Sequence, residues 1–244
     1  MSLPAWRLKL FETLASTSDL CRELAEAGEP EGLAVLARRQ ERGRGTHGRS
    51  WISAPGNLFL SALLRPGGAA RDAAVWSLLA GVALIETLDK LVPDPTALTL
   101  KWPNDVLLHG EKLAGILLDS AADARGGLAW LVIGFGANLA AAPDVSGRSV
   151  AALGTAEAPE TVAWRLLARL DHWRGVLGRE GFAPVREEWL TRAHPMGAPI
   201  TLALSAGTLD GSFAGLGDDG RLLLQHEGRL HAFAAGEVLQ PGGG

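Results

Sequence analysis

The sequence predicts an α+β protein with a mixed, mainly antiparallel sheet flanked by helices, and three observations support this class. Between residues 98 and 119, apolar strand patterns are joined by the short turn His109-Gly110-Glu111, which is typical of a hairpin. Three stretches, 73–91, 161–177 and 184–192, have helical patterns. After residue 195 come short strand patterns separated by turn residues. Strands grouped in hairpins indicate an α+β fold, because βαβ units would alternate strand and helix.

The first third of the chain is predicted to form strand, helix and strand. Trp6 to Phe11 alternates apolar and basic residues, as an edge strand does. Ser16-Thr17-Ser18 precedes a helical pattern that ends near Ala27, with Gly28 at the position of a C-terminal cap. The three hydroxyls are explained by helix capping, by ligand binding or by both, since a cap uses one side chain. Leu33 to Ala37 is predicted to be a buried strand.

The middle of the chain is predicted to supply the buried sheet and its main helix. Ala73 to Leu91 is the longest helical pattern and is apolar on most faces, so we expect a buried helix packed on a sheet. Pro93 and Pro95 are expected to end it. Further strands are predicted at Leu58 to Leu64, Leu98 to Leu100, Val106 to Leu108, Lys112 to Asp119 and Leu128 to Gly134.

A second, smaller unit is predicted at the C-terminus. His194-Pro195-Met196-Gly197 marks a boundary, which divides the chain into a larger domain of residues 1–194 and a small domain of residues 195–244. Asp218-Asp219-Gly220 and Glu227-Gly228 are hairpin turn signals. Five short strands in about fifty residues predict a small closed or half-closed β-barrel. We expect Pro241 to Gly244 to fray.

Length, net charge and cysteine content exclude several classes of protein. The chain has 244 residues, of which 47% are hydrophobic, which is ample for a core. The net charge of -4 excludes a global field that attracts nucleic acid or an anionic membrane. Cys21 is the single cysteine, which excludes an intramolecular disulfide and a cysteine-cluster metal site. Because the chain has neither a signal-peptide pattern nor an apolar run of about 18 residues, we expect a cytoplasmic protein without a membrane span.

One loop, from Gln40 to Trp51, has an unusual composition for a core-forming segment. It holds three glycines and three arginines and no aliphatic side chain. Glycines let the main chain approach a ligand closely, and arginine forks suit phosphate or carboxylate. Backbone N–H groups in such a loop also bind anions. The composition therefore indicates an anion-binding loop, while a solvated basic turn remains the alternative.

Isolated polar residues in otherwise apolar strands indicate the chemistry. No Walker, dinucleotide, nucleophile-elbow or zinc-protease motif is present, and the histidines lack metal-ligand spacing. Lys101 and Lys112 are joined through a short turn with Asp105 between them, a set that suits a reaction on a polyphosphate. Asp105 is a candidate magnesium ligand. Taken alone, Lys112 is also explained as an exposed residue at a strand start. Trp51 and Trp102 either wall a pocket or belong to the core or its rim.

Three segments in order resemble biotin protein ligases, the family that attaches biotin to carrier domains. The loop from Gly43 to Trp51 looks like the family's biotin and adenylate loop. Lys101-Trp102-Pro103-Asn104-Asp105 matches a family signature at all five positions, and Lys112 to Leu117 matches another at the family's spacing. The resemblance spans nearly the whole chain. It implies a catalytic domain like that of class II synthetases and biotinyl or lipoyl ligases, followed by a Src-homology-type barrel.

The resemblance also implies roles for individual residues. Arg44, Lys112, Lys101 and Asp105 fall on catalytic positions, and Asp105 also falls on a magnesium position. Nucleotide-binding positions are matched by Arg49, Trp51, Asn57, Lys101, Asn104 and Asn138. Biotin-binding positions are matched by Ser16, Thr17, Ser18, Gln40, Gly43, Arg44, Gly45, Thr46, Lys112, Gly115, Gly134 and Gly136.

Two departures from the family pattern are visible. Ser18 replaces an asparagine, and Thr46 stands where many members carry a second loop arginine. Because threonine cannot pair with phosphate as a cation does, we expect looser retention of the adenylate or compensation by Arg42 or Arg49. The first strand begins near Trp6, so the resemblance implies the short form without an N-terminal DNA-binding domain and no DNA partner.

The activity implied is an ATP-dependent, AMP-forming ligation. Biotin would be activated to biotinoyl-5'-AMP with ATP and Mg²⁺, then transferred to a lysine of a biotin carboxyl carrier protein. A homodimer is possible, since some family members extend the sheet edge to edge. A lipoate or octanoate ligase or transferase is the nearest alternative, but Arg38-Arg39 is followed by Gln40-Glu41 where that family carries serine and glycines. A non-catalytic biotin-binding protein is the alternative of another class, although it would be expected to lose Lys112 or Asp105.

Overall fold

The computed structural model describes residues 5–69, 72–144 and 150–239, so the expectation for Pro241 to Gly244 lies outside the described residues. Four α-helices are present in this part of the chain: α1 Thr17–Glu26, α2 Ala73–Leu88, α3 Pro159–Glu180 and α4 Ala183–Thr191. The strands of the larger unit are β1 Arg7–Leu14, β2 Leu33–Gln40, β3 Gly43–Arg44, β4 Ser50–Trp51, β5 Leu58–Leu64, β6 Leu98–Lys101, β7 Asp105–Leu108, β8 Glu111–Ala122 and β9 Leu128–Ala137. The smaller unit contains β10 Pro199–Leu204, β11 Gly207–Leu216, β12 Leu222–His226, β13 Arg229–Phe233 and β14 Glu237–Leu239.

A seven-stranded sheet in the order β1-β2-β5-β9-β8-β7-β6 organises the larger unit. Only β1 and β2 pair in parallel, and every other recorded pairing in this sheet is antiparallel. The mixed, mainly antiparallel sheet flanked by helices is thus confirmed. His109 and Gly110 have positive φ values of 50° and 83° and form the predicted tight turn between β7 and β8.

The sheet is covered on both faces, because alternate residues of its strands point to opposite sides. Leu33 and Val35 pack with Cys21 of α1 on one face, so the single cysteine is a buried core residue. Ala34 and Leu36 face the larger cluster formed with α2, α3 and α4. Every residue of the central strand β5 is buried, as expected for a strand covered on both sides.

The helices differ from the prediction in their lengths. The helical segment predicted over Ala73 to Leu91 is α-helical to Leu88 and 3-10 over Asp89–Leu91, and it ends two residues before Pro93, as predicted. The longest helix in the described part of the chain is α3 with 22 residues. Its buried residues recur on one face, and Gly181 after its end has a φ of 77°, as a terminating glycine does.

The C-terminal strands form one antiparallel sheet in the order β13-β12-β11-β10-β14. The recorded pairings leave this sheet open between β13 and β14, so they do not close the predicted barrel. The sheet contacts the larger unit through Trp102, whose Nε1 donates to the carbonyl of Gly220 at 3.3 Å. Arg186 of α4 likewise donates to the carbonyl of Leu216 at 2.7 Å. Among the described residues, no helix is long and apolar enough to cross a membrane.

Candidate active site

A buried set of hydroxyls lies where α1 begins. Ser16 caps the helix by accepting from the N–H of Asp19, which leaves Thr17 and Ser18 free for other contacts. Ser61 of β5 donates to Oγ1 of Thr17 at 2.9 Å, and its Oγ lies 3.1 Å from Oγ of Ser18. We call Thr17, Ser18 and Ser61 the hydroxyl shelf. The capping explanation is confirmed for Ser16. Thr17 and Ser18 are buried in contact with Ser61, and their binding of a ligand stays a prediction.

Gln40 fixes one end of the hydroxyl shelf. Its side-chain oxygen accepts from the backbone N–H of Thr17 at 2.8 Å and from the Thr17 hydroxyl at 3.1 Å. Gln40 is the last residue of β2, so the sheet itself positions this amide beside the helix terminus. The shelf thus offers several neutral donors and acceptors in a fixed arrangement, which suits a polar, uncharged ring.

Three glycines of the central strands form the floor of a small pocket beside the hydroxyl shelf. A Cβ at Gly136 would lie 2.5 Å from Cε2 of Trp51, and one at Gly134 would lie 2.5 Å from Oγ of Ser18. At Gly115 a Cβ would lie 3.2 Å from Cζ3 of Trp51. The indole ring of Trp51 therefore rests directly on backbone that only glycine leaves open.

Trp51 nearly fills this pocket. The remaining cavity has a volume of about 40 Å³ and is lined by Thr17 and Ser18 of the hydroxyl shelf, Gln40, the glycine floor and Lys112. Nε1 of Trp51 is buried without a hydrogen-bond partner in the described part of the chain. Drug-sized ligands occupy pockets of roughly 300–1,000 Å³, so a ligand of that size must displace the indole. Trp51 thus walls the small pocket, whereas Trp102, 4% exposed, belongs to the core and borders the larger neighbouring cleft but not the small pocket.

The loop from Gln40 to Trp51, which we call the arginine loop, forms a small hairpin over the pocket. Gly43 pairs with Trp51 and Arg44 pairs with Ser50, and a Cβ at Gly43 would lie 2.5 Å from the carbonyl of Trp51. Arg44 projects from this hairpin toward two carboxylates. Its guanidinium donates to Asp19 at 2.9 Å and to both oxygens of Asp119 at 3.0 and 3.3 Å.

The two carboxylates keep Arg44 firmly charged. Partial burial by itself lowers the pKa of Arg44, but Asp119 and Asp19 raise it above its ordinary value. The guanidinium lines both the small pocket and the neighbouring cleft. Its position suits a carboxylate in the pocket or a phosphate in the cleft, either of which would compete with the aspartates.

Asp105 lies between two lysines in an ion-paired cluster. Nζ of Lys101 lies 3.0 Å from Oδ2 of Asp105, and Nζ of Lys112 lies 2.5 Å from Oδ1. Asp105 and Lys101 are 5% and 6% exposed, whereas Lys112 is 23% exposed and lines the pocket. Burial alone raises the pKa of Asp105, but the two ammonium groups lower it below its ordinary value. The carboxylate therefore stays ionised, and the cluster keeps one net positive charge beside the pocket.

Strand register explains why these three residues meet. Lys101 and Asp105 face each other across the β6–β7 turn, and Asp105 pairs with Gly115 of β8. Lys112 comes three residues before Gly115, next to an irregularity in the β7–β8 pairing. Its ammonium lies 5.8 Å from the centroid of the Trp51 ring, within the range of a cation–π contact. Lys112 is thus held by the site and is not a free residue at a strand start.

The asparagines at predicted nucleotide positions bond to the protein itself. Asn57 accepts from the N–H groups of Ala140 and Ala141 at 2.9 and 3.2 Å and donates to the carbonyl of Ala141. Asn138 donates to the carbonyl of Ala151 at 2.9 Å. Asn104 donates to the carbonyl of Ile116 at 2.7 Å. These amides hold the segments beside the pocket, and their contact with a nucleotide stays a prediction.

A larger cleft of about 1200 Å³ adjoins the small pocket. Residues 39–46 and 48–53 line one part of it, and Ala234 to Gly236 line another. The arginines that line it are Arg39, Arg42, Arg44 and Arg49. A chain with a net charge of -4 thus concentrates cationic groups in one cleft, as an anion-binding site does. Within residues 5–69, 72–144 and 150–239, no group of three or more His, Cys, Asp or Glu side chains could hold a metal ion.

Sequence reasoning missed four residues that support the site. Ser61 was visible as the one hydroxyl in an otherwise apolar strand and could have been noticed. Asp19 and Asp119 pair with Arg44 from positions 25 and 75 residues away, and Glu237 pairs with Arg49 from 188 residues away. No local pattern signals such partners, because tertiary packing brings them together.

The fold and the site define a small-molecule-binding α+β protein in which a small pocket with uncharged hydroxyls at one end adjoins a cationic cleft. This is the arrangement of proteins that bind an organic ligand next to a phosphate-bearing one.

Comparisons with known proteins specify this class further. Residues 10–138 match the model of the biotin/lipoate A/B protein ligase family. A biotin--[acetyl-CoA-carboxylase] ligase of Paracoccus denitrificans is 38% identical over 214 residues, covering 84% of this chain and 89% of that protein. One of Mycobacterium tuberculosis is 34% identical over 237 residues, covering 93% and 86%. The structure of a biotin protein ligase from Aquifex aeolicus in complex with biotin and ATP has a TM-score of 0.79 and 25% identity, covering 95% and 97%. The chain belongs to the biotin/lipoate A/B protein ligase family.

Proposed function

We propose that this protein is an ATP-dependent ligase that activates biotin as biotinoyl-5'-AMP and transfers it to a lysine of a carrier protein. The observation that carries the proposal is the junction of the two cavities. The small pocket and the cationic cleft share Gln40, Arg44 and Trp51, and Lys112 lines the pocket together with the uncharged hydroxyls of Thr17 and Ser18. An enzyme that joins a carboxylate to a phosphate must hold both groups side by side. If the carboxylate is attached to an uncharged ring, the ring needs uncharged partners in the pocket, and the carboxylate and phosphate need cations next to it.

In this proposal the ureido ring of biotin occupies the space that Trp51 now fills. A urea presents one strong acceptor and two N–H donors, and the hydroxyl shelf with Gln40 offers complementary groups. Gly115, Gly134 and Gly136 leave room for the ring, since a Cβ at each would approach a neighbouring side chain. The carboxylate at the other end of biotin would then point toward Lys112 and Arg44.

The first chemical step joins this carboxylate to the nucleotide. A biotin carboxylate oxygen attacks the α-phosphorus of ATP, the bond to the bridging oxygen breaks, and pyrophosphate leaves. Negative charge grows on the α-phosphoryl oxygens and on the leaving pyrophosphate. Lys112 and Arg44 neutralise the reacting oxygens, and Lys101 with Asp105 keeps Lys112 in place.

Magnesium is proposed as the metal that accompanies ATP. Asp105 is its candidate ligand, and both carboxylate oxygens now face lysine ammonium groups. Within the described residues no group of three or more His, Cys, Asp or Glu side chains could hold the ion by itself, so it would arrive with the phosphate oxygens of ATP. When bound, it would neutralise phosphate charge.

In the second step the amine of a carrier lysine attacks the acyl carbon, the bond from that carbon to the bridging oxygen breaks, AMP leaves with this oxygen, and the amine gives up a proton to water. Relatives named as acetyl-CoA-carboxylase ligases make a biotin carboxyl carrier domain the proposed acceptor. We further assign residues 1–194 to the catalytic domain and residues 195–244 to a Src-homology-type half-barrel. Cytoplasmic location and a homodimer formed by sheet extension belong to the same proposal, and light scattering measures the oligomeric state.

The test is a transfer assay with defined components. Purified protein is incubated with ATP, Mg²⁺, biotin and an apo carrier domain, and the carrier's mass is measured. We expect one biotin on one lysine, and none when that lysine is replaced by arginine. Lipoate in place of biotin serves as the control for the other half of the family. Transfer of lipoate, or binding of biotin without any transfer, would contradict the proposal.

A further inference from the structure

Arg49 connects the arginine loop to the C-terminal sheet. Its NH1 group lies 2.9 Å from Oε1 and 3.0 Å from Oε2 of Glu237, the first residue of β14. The two side chains are 28% and 32% exposed, so the pair is half-buried. Partial burial raises the pKa of Glu237, but the hydrogen bonds and charge of Arg49 lower it below its ordinary value. The carboxylate is therefore ionised and holds the guanidinium at neutral pH.

Thr46 holds the other side of the same guanidinium. Nε of Arg49 donates to the carbonyl of Thr46 at 3.2 Å, and NH2 donates to its hydroxyl at 3.1 Å. The two contacts close the loop on itself, and a Cβ at Gly45 would lie 3.3 Å from the carbonyl of Arg49. Thr46 therefore orients Arg49 by accepting two hydrogen bonds from its guanidinium, which a longer cationic side chain at this position could not do through a hydroxyl.

The three arginines of the loop differ in how far they are neutralised. Arg44 is shared by two carboxylates. Arg42 is exposed and has no partner in the described part of the chain. Arg49 faces one carboxylate, and its bonds to Glu237 and Thr46 leave two of its five N–H groups unused, because both Glu237 oxygens share one N–H of NH1. Arg49 is thus fixed in direction and still able to donate, and it lines the same cleft as Ala234 to Gly236.

We propose that Glu237 is a positioning residue that orients Arg49 toward the phosphates of ATP. Thr46 contributes to this orientation by accepting hydrogen bonds from the other side of the guanidinium. The proposal rests on the proposed function and adds to it a role for the C-terminal sheet. Glu237 touches neither substrate. It acts through Arg49, which takes the place of the cation that Thr46 cannot supply.

The experiment compares Glu237→Ala, Glu237→Gln, Thr46→Val and Arg49→Ala in ATP–pyrophosphate exchange with biotin. We expect the KM for ATP to rise about tenfold in Glu237→Ala and Arg49→Ala, because one charge-assisted phosphate contact is lost. The KM for biotin should stay within about twofold, since the pocket is untouched. Glu237→Gln keeps the acceptor oxygen and should recover part of the loss. The double variant Arg49→Ala/Glu237→Ala should match Arg49→Ala alone, because the two residues act as one unit.

Asp210→Ala is the matched control, since it removes an exposed carboxylate from the same sheet that bonds to Thr201 and not to the loop. It should leave both KM values unchanged. ATP affinity is also measured by calorimetry without biotin, so the inference is tested even if the wild-type protein catalyses no exchange. Absent exchange with biotin would contradict the proposed function. Unchanged or tighter ATP binding in Glu237→Ala would overturn the positioning role.

Discussion

The ammonium nitrogen of Lys112 lies 2.5 Å from Oδ1 of Asp105. One carboxylate thus determines where the cation beside the pocket stands, while Lys101 neutralises the other oxygen. A lysine held by a single buried partner keeps a fixed direction and remains able to exchange that partner for a phosphate or carboxylate oxygen.

Replacing Asp105 by asparagine should destabilise the fold and abolish adenylation. The change leaves Lys101 buried without a counter-charge, and breaking a buried pair costs about 3–5 kcal/mol. Chemical denaturation measures the loss. The pKa of Asp105 is lower in the folded protein than in the unfolded chain, so its ion pairs stabilise the wild type at pH values above the ordinary pKa of aspartate. This stabilisation is lost as the pH falls through the pKa that Asp105 has in the folded protein.

The double variant Asp105→Asn/Lys101→Met separates stability from catalysis. It removes the unpaired buried cation, so we expect it to recover most of the stability of Asp105→Asn and none of its activity. Wild-type exchange activity in either variant would contradict the role of the cluster.

Gly136→Ala should block the pocket. A Cβ there would lie 2.5 Å from Cε2 of Trp51 and would occupy the floor on which a ligand ring must lie. We expect biotin affinity, measured by calorimetry, to fall at least about tenfold with little change in the melting temperature. Gly178→Ala is the control, because this helical glycine has no neighbour within 4 Å of the new Cβ. Equal biotin affinity of Gly136→Ala and wild type would show that the ligand lies elsewhere.

Ser61→Ala should weaken biotin binding about tenfold, because it removes the hydroxyl that connects Thr17 with Ser18 and each such bond is worth about 1 kcal/mol or more. Thr87→Ala is the control. It removes a buried hydroxyl that bonds to the carbonyl of Ala83 within α2, away from the pocket. If both variants bind biotin equally well, the hydroxyl shelf does not recognise the ligand.

Cys21 should make stability fall at high pH. Burial raises the pKa of its thiol to about 12 in the fold, whereas an unfolded thiol ionises near about 8.5. Ionisation therefore favours the unfolded chain, and stability is lost by about 1.4 kcal/mol per pH unit between these two values. Urea unfolding at pH 8 and 10 should show about 2 kcal/mol more loss for wild type than for Cys21→Ala. The same loss in both proteins would contradict this prediction.

The strands and turns were predictable because their signals are local. The β7–β8 hairpin follows from His109 and Gly110, and the C-terminal hairpin turns follow from their glycines. Helix lengths were less predictable. The sequence marks α3 with Pro159 at its first turn and Gly181 after its last, but the apolar pattern alone indicated a shorter helix. The apolar pattern of α2 runs past Leu88, where the backbone tightens into a 3-10 turn that side chains do not signal.

The site was predictable to the extent that its motifs are continuous in sequence. Lys101, Asp105 and Lys112 meet as expected because strand register brings them together. The partners of Arg44 and Arg49 were not predictable, because they come from distant elements. The position of Trp51 over the glycine floor also depends on the whole loop and on no single motif.

The measurement that tests the central claim most directly is ATP–pyrophosphate exchange by wild type and Lys112→Gln, with biotin, with lipoate and with neither. We predict exchange by the wild type only with biotin, and at least about a hundredfold loss in Lys112→Gln, in the range seen when a charge-stabilising donor is removed. Calorimetry should still detect biotin binding to the variant. Exchange with lipoate in place of biotin, or wild-type exchange by Lys112→Gln, would contradict the claim that biotin is activated beside Lys112.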